Sequence, residues 1–160
     1  MARGSGDRRP ARPCVFCAIV RGEAQSYPVF EGESSLAFLD LRPLFPGHCL
    51  LVPREHYHTL ADLPAGVVAA VFADVRLVAL GVERALEAEG TFVAINNRVS
   101  QSVPHLHVHI VPRRRKDGLR GFFWPRRRYP DEDAIRAVQA RLRSAIGQVL
   151  SSSREGGRRA

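Results

Sequence analysis

The chain has 160 residues, 45% of them hydrophobic and 25% charged, with a net charge of +8. That length suits one domain with a sizeable core. With neither an uninterrupted run of 18 apolar residues nor a signal-type leader, the expectation is a soluble, cytoplasmic protein with no membrane partner. The charge is uneven: residues 1–13, 113–128 and 151–160 carry +3, +7 and +2, which leaves −4 on the rest of the chain. All but one of the 24 basic residues are arginine. The basicity is therefore two tails and one loop, a pattern that leaves nucleic-acid binding by the Arg-rich tails open without favouring it.

Residues 1–13, rich in Gly, Pro and Arg, read as a disordered basic arm. The apolar spacing of Val15, Phe16, Ile19 and Val20 predicts one or two helical turns from Cys14, ending at Gly22. Tyr27 to Glu31 and Ser35 to Leu39 read as two antiparallel strands joined at Gly32, the second closed by Asp40. A Pro- and Gly-containing loop from Leu41 to Gly47 precedes a third strand from His48 to Val52, stopped by Pro53. Asp62 is the predicted cap of a helix whose apolar residues, from Val67 to Leu86, recur at three and four; Gly90 is its predicted end. Thr91 to Ile95 makes a fourth strand. Asp131 to Leu150 predicts a second long amphipathic helix, and residues 151–160 read as a disordered tail. The domain thus spans residues 14–150.

Between the fourth strand and the last helix lies Gln101-Ser-Val-Pro-His105-Leu-His107-Val-His109-Ile-Val-Pro112. Strict alternation over a run rich in β-branched residues predicts a half-buried fifth strand between Pro104 and Pro112. His105, His107 and His109 then share one face, while Leu106, Val108 and Ile110 share the core face. Alternate residues on a strand are about 6.6 Å apart, so two of these histidines can share a metal ion but three cannot. A neutral imidazole is a nucleophile near pH 7, and a second one beside it can bind phosphoryl oxygens or assist a leaving group. Gln101 and Ser102 add neutral donors, which completes an inventory for attack on a phosphate ester or anhydride.

Three cysteines, two of them in the pair Cys14-x-x-Cys17, argue for metal or redox chemistry rather than a disulfide framework. A thioredoxin-type pair is disfavoured because no strand precedes Cys14. Two thiolates call for two more ligands, and His48, Cys49, His56, His58 and the histidine strand all offer them. Small buried cysteines at the head of a helix are the plain structural alternative.

The run His105-Leu-His107-Val-His109-Ile-Val resembles the signature of the histidine triad (HIT) family, with Gln-Ser-Val just upstream. Phe16 to Val20, the strand ending at Asp40, Pro46-Gly47-His48, Pro53-x-x-His56 and Trp124-Pro125 extend the resemblance over roughly residues 14–146. It implies an α+β fold with a HIT-like five-stranded antiparallel sheet and two main helices, usually in a homodimer. It also implies a nucleotide hydrolase or nucleotidyl transferase. Such an enzyme cleaves at the α-phosphate of a nucleoside phosphoramidate or dinucleoside polyphosphate through a covalent intermediate on His107. By that resemblance His107 is the nucleophile, His109 contacts the phosphate or leaving oxygen, and Gln101, Ser102 and Asn97 bind phosphate oxygens. Asp40 falls at the ribose position, and Phe16, Ile19 and Leu51 fall at the base pocket. The Cys-x-x-Cys branch implies a structural Zn²⁺ on Cys14, Cys17, His56 and His105. Only Arg98, Val99 and Ser100 separate Asn97 from Gln101, fewer residues than in many members of the family. The basic run from Arg113 to Lys116 is a candidate to attract the extra phosphates of a polyphosphorylated substrate. The rival reading is a zinc-stabilised nucleotide- or nucleic-acid-binding module with weak or vestigial catalysis.

Overall fold

A computed structural model of the protein describes residues 13–119 and 129–156, with side chains placed up to residue 145. The chain divides into two compact units, residues 1–118 and 119–160. The basic arm up to residue 12, Trp124-Pro125 and the last four residues lie outside the described residues.

The first unit is an α+β arrangement of five antiparallel strands: β1 (Pro28–Glu31), β2 (Ser35–Leu39), β3 (Cys49–Pro53), β4 (Gly90–Ala94) and β5 (Val108–Arg113). Their order across the sheet is β1-β2-β3-β5-β4, so β5 lies between β3 and β4. A short helix α1 (Val15–Val20) precedes the sheet and a long helix α2 (Ala65–Leu86) links β3 to β4.

Register separates the two faces. Leu51 lies opposite Val108 and Leu50 opposite His109, while Ala37 pairs with Leu51 and Phe38 with Leu50. Because side chains alternate, Ala37, Cys49, Leu51, Val108 and Ile110 join Val71, Val75, Val78 and Val82 of α2 in one core cluster. Phe16 of α1 collects Leu36, Phe38, Leu50 and Val52 on the other face. By length and composition α2 could cross a bilayer, but its valine stripe is packed on the sheet.

Several boundaries differ from the sequence expectation for identifiable reasons. Asp62 does not cap α2: it closes a capping box with Thr59 around a 3-10 turn (Leu60–Asp62), and Pro64 precedes α2. α2 ends before Gly90, at a left-handed Glu87 (φ 50°), because Glu89 N–H already bonds Arg113 O and draws the chain into the β4–β5 ladder. β5 begins at Val108, where β3 offers its first partner, and runs through Pro112. The Arg113 carbonyl faces β4, so the neighbouring Pro112 turns its missing donor toward β3, whose pairing has ended at Ile110. A proline there breaks no ladder bond.

The second unit holds α3 (Glu132–Gly156). Asp131 Oδ1 accepts the Ala134 N–H at its start, and Ile135 and Leu142 are exposed. The helix passes the expected stop at Leu150 because Ser151 to Glu155 contain no strong breaker. Gly156 and Gly157 supply one.

Candidate active site

The residues between His105 and His109 are held by bonds that specify the proton on each ring. His107, 3% exposed, has Nδ1 2.7 Å from the His105 carbonyl oxygen. A carbonyl only accepts, so Nδ1 carries the hydrogen and Nε2 is left with a lone pair. Phe16 stands edge-on to the His107 ring at 5.3 Å, and the His109 ring lies 5.0 Å away.

His109 is set by a residue that the sequence reading offered only as a metal candidate. Leu44 N–H donates to His48 Nδ1 at 3.2 Å, so the His48 hydrogen is on Nε2. That nitrogen is 3.0 Å from His109 Nδ1, which must accept, so His109 carries its own hydrogen on Nε2. Burial first, then the imidazoles of His107 and His48, push His109 down to about 4. Burial also lowers His48. Both rings are therefore neutral near pH 7. Gly47 (φ 93°) leads the chain into β3 just before His48, and a side chain there would collide with Leu86. Once the register is known, period two from Leu50 reveals His48 on the histidine face.

Asp40 lies at the rim of the same face, its Oδ2 3.6 Å from His48 Nδ1 and its Oδ1 accepting the Arg42 N–H at 2.8 Å. Ile19 packs beside Phe16. Leu51 does not belong here: it is fully buried under α2, on the opposite face. Leu50 and Phe38 occupy the histidine side instead, a one-residue shift that an unbroken apolar strand cannot reveal.

Cys14, Cys17, His56 and His105 come together with one donor atom each, all within 4.8 Å of one another. Cys17 Sγ is 3.1 Å from His56 Nδ1 and 3.5 Å from His105 Nδ1; Cys14 Sγ is 3.4 Å from the same His105 atom. A tetrahedral Zn²⁺ with ordinary bond lengths separates sulfur and nitrogen ligands by about 3.6 Å. His105 Nε2 donates to the Pro53 carbonyl at 3.1 Å, which turns the Nδ1 lone pair toward the thiols. That arrangement is the outer-shell device that orients a metal-binding imidazole. His58 meets His56 edge-on at 4.8 Å but is not among the four.

The loop before the histidines departs most from expectation. Asn97 Oδ1 accepts the Leu60 N–H at 2.9 Å. Gln101 Nε2 donates to His58 O, and its Oε1 accepts the Arg98 N–H, both at 2.7 Å. These amides fasten the loop to the segment from His58 to Leu60. Ser102 is exposed and makes no hydrogen bond among the described residues.

Two of the arginines in the Arg113–Lys116 run are engaged within the protein, and the Arg115 side chain is largely exposed. Arg113 pairs with Asp117 at 2.6 Å, Arg114 donates to the Leu86 carbonyl at 2.7 Å, and Arg115 lies 3.6 Å from Glu89. The run begins at the last residue of β5, at the end farther from His107, and Arg114 ties it to the end of α2.

The HIT domain family model matches residues 21–116. An adenylylsulfatase of Arabidopsis thaliana is 38% identical over 108 residues, 66% of this chain and 55% of that protein, so the chain spans little more than half of that relative's length. An adenosine 5'-monophosphoramidase of Schizosaccharomyces pombe is 34% identical, covering 83% of this chain and 98% of the relative. The crystal structure of a Zn-bound histidine triad family protein from Mycobacterium smegmatis superposes with a TM-score of 0.64 at 40% identity, covering 83% of this chain and 97% of that one.

Proposed function

The chain belongs to the HIT domain family, and from that premise we propose that it is a nucleotide hydrolase or nucleotidyl transferase that cleaves at an α-phosphate through a covalent His107-nucleotide intermediate. The observation that carries this reading is the His107 tautomer: the 2.7 Å bond from Nδ1 to the His105 carbonyl leaves Nε2 as a free lone pair in a buried setting. Nucleotide-cleaving relatives named for phosphoramidate and adenylyl sulfate substrates support the same reading.

In the first step, His107 Nε2 attacks the α-phosphorus. The P–Nε2 bond forms as the bond to the leaving group breaks, and the leaving group keeps the electron pair. The Nδ1 hydrogen of the resulting imidazolium stays on the His105 carbonyl, which stabilises the charge. His109 Nε2–H donates a hydrogen bond to a phosphoryl or leaving oxygen. Held neutral, His109 suits a group that departs as an anion, whereas an amine leaving group takes up one proton from solvent as the P–N bond breaks and departs as neutral ammonia. In the second step, water or another acceptor hydroxyl attacks phosphorus, its proton passes to solvent, and the P–Nε2 pair returns to His107. Asp40 is assigned to the ribose, Phe16 and Ile19 to the wall beside the base, and Ser102 to a phosphate oxygen.

Cys14, Cys17, His56 and His105 are assigned to a structural Zn²⁺, whose contribution is to join α1, the segment after β3 and the histidine run rather than to react. Metal analysis of purified protein should return about one zinc per chain and lose it in Cys17→Ala. A metal-free wild type would refute the assignment. A homodimer is proposed as well, to be checked by light scattering on the eluting protein.

The activity test is His107→Asn against adenosine 5'-phosphoramidate, adenylyl sulfate and diadenosine tetraphosphate. Turnover should fall by at least about 10³-fold on every substrate that the wild type cleaves. Turnover retained by the variant would remove His107 as nucleophile.

A further inference from the structure

Beside the loop from Asn97 to Gln101 lies an open cavity of about 410 Å³, lined by His58, Thr59, Asp62, Arg98, Gln101 and Pro104. It adjoins the histidine run: His58 packs on His56 and His56 on His105, each at 4.8 Å between ring centres. Gln101 and Pro104 form its wall directly before His105.

The donors in that cavity are unequally committed. Gln101 spends its amide on the Arg98 N–H and the His58 carbonyl, and the neighbouring Asn97 spends its Oδ1 on the Leu60 N–H. Asp62 Oδ2 accepts both the Thr59 N–H at 2.9 Å and its hydroxyl at 2.7 Å, so the acid serves the turn. Arg98 differs: only its backbone N–H is engaged, and its exposed guanidinium makes no hydrogen bond or ion pair among the described residues. Its backbone is held at φ 66°, a conformation that disfavours side chains other than glycine, asparagine and aspartate. A glycine would fit this turn without cost, yet an arginine stands there.

We infer that Arg98, with His58 across the cavity, forms a subsite for an anionic leaving group such as the sulfate or distal phosphate of a nucleotide anhydride. The inference rests on the proposed hydrolase reading and narrows its substrate class. A planar guanidinium offers paired donors to tetrahedral oxyanions, and a sulfate or phosphate leaves without needing a proton, which a neutral His109 does not readily supply. Asp62 reduces the local positive charge but keeps its hydrogen-bonded oxygen on Thr59. Arg113, Arg114 and Arg115 do not line this cavity, and the first two are engaged with Asp117 and the Leu86 carbonyl.

The test compares wild type with Arg98→Gly, which removes the cation while relieving the backbone, and with Arg98→Lys. On adenylyl sulfate and diadenosine tetraphosphate, kcat/KM should fall about 10- to 100-fold in Arg98→Gly and less in Arg98→Lys. On adenosine 5'-phosphoramidate, whose leaving group is ammonia, it should stay within about twofold. Equal losses on all three substrates would make Arg98 a loop-holding residue, and no loss on any would remove it from the site; either overturns the inference. Equilibrium binding of AMP and ADP to His107→Asn separates failure of the subsite from failure of the hydrolase reading. ADP should bind about tenfold more tightly than AMP, and Arg98→Gly should erase that difference. If the wild type cleaves nothing yet this Arg98-dependent preference persists, the hydrolase reading falls and the subsite stands. If the two nucleotides bind alike, the subsite falls.

Discussion

The run from Leu106 to Ile110, which leads into β5, places alternate residues on two faces that do opposite work. Toward α2, Leu106, Val108 and Ile110 are at most 1% exposed and share one apolar cluster with its valines. Toward α1, His107 and His109 sit against Phe16, His48 and the carbonyl of His105, and each ring nitrogen can be assigned a donor or acceptor role. The dry face needs volume and shape; the histidine face needs protons on particular atoms. Those demands can share a strand because period two sends successive side chains to opposite faces of the sheet.

The sharpest way to break this contrast is to mutate neighbours on opposite faces. His107→Asn should reduce turnover by at least about 10³-fold while leaving the melting temperature near that of the wild type. Ile110→Ala should do the reverse, costing about 2–5 kcal/mol in denaturant unfolding with turnover per folded molecule preserved. If Ile110→Ala lost activity at full stability, the separation of faces would be wrong. His48→Ala comes next. Removing the donor to His109 Nδ1 should lower kcat about 10- to 100-fold, with a smaller change in KM. An unchanged kcat would mean that His109 is oriented by something else.

The smallest effect concerns pH. Burial holds His105 and His109 at about 4 against an ordinary 6.5. Between those values the unfolded chain takes up protons that the folded chain refuses, so stability is fully present above about pH 6.5 and is lost progressively as pH falls toward 4. Melting temperatures measured from pH 7.5 down to 4.5 should decline through that window. The decline should shrink in His109→Asn, and an identical decline in that variant would contradict the assigned cause.

The part of the fold most legible in the sequence was the part with a clean period. Alternation at residues 105–110 and the three-four spacing of α2 separate core from histidine face without further information. Legibility ended where pairing decides the outcome. His105 and His107 precede the ladder because β3 meets β5 only at Val108–Ile110, and Leu106 N–H goes instead to the Tyr57 carbonyl at 2.6 Å. Cys49 to Val52 is apolar throughout, so nothing local tells Leu50 from Leu51. Asn97 and Gln101 have the right chemistry for phosphate, but their partners on residues 58–60 are more than 35 positions away and invisible to any local pattern. The contacts of Arg113, Arg114 and Arg115 with Asp117, Leu86 and Glu89 were hidden in part for the same reason, since Leu86 and Glu89 lie more than 25 positions away. Cys14, Cys17, His56 and His105 lie in three separate stretches, and the fold supplies their convergence.

The central claim is a pair of opposite tautomers on one strand face, His107 with its hydrogen on Nδ1 and His109 with its hydrogen on Nε2. Long-range ¹H–¹⁵N correlation spectra of ¹⁵N-histidine protein near pH 7.5, assigned with His107→Asn and His109→Asn, read this directly. His107 should show an unprotonated Nε2 and His109 an unprotonated Nδ1. Finding His107 protonated at Nε2 would leave no lone pair facing the phosphate and would contradict the claim.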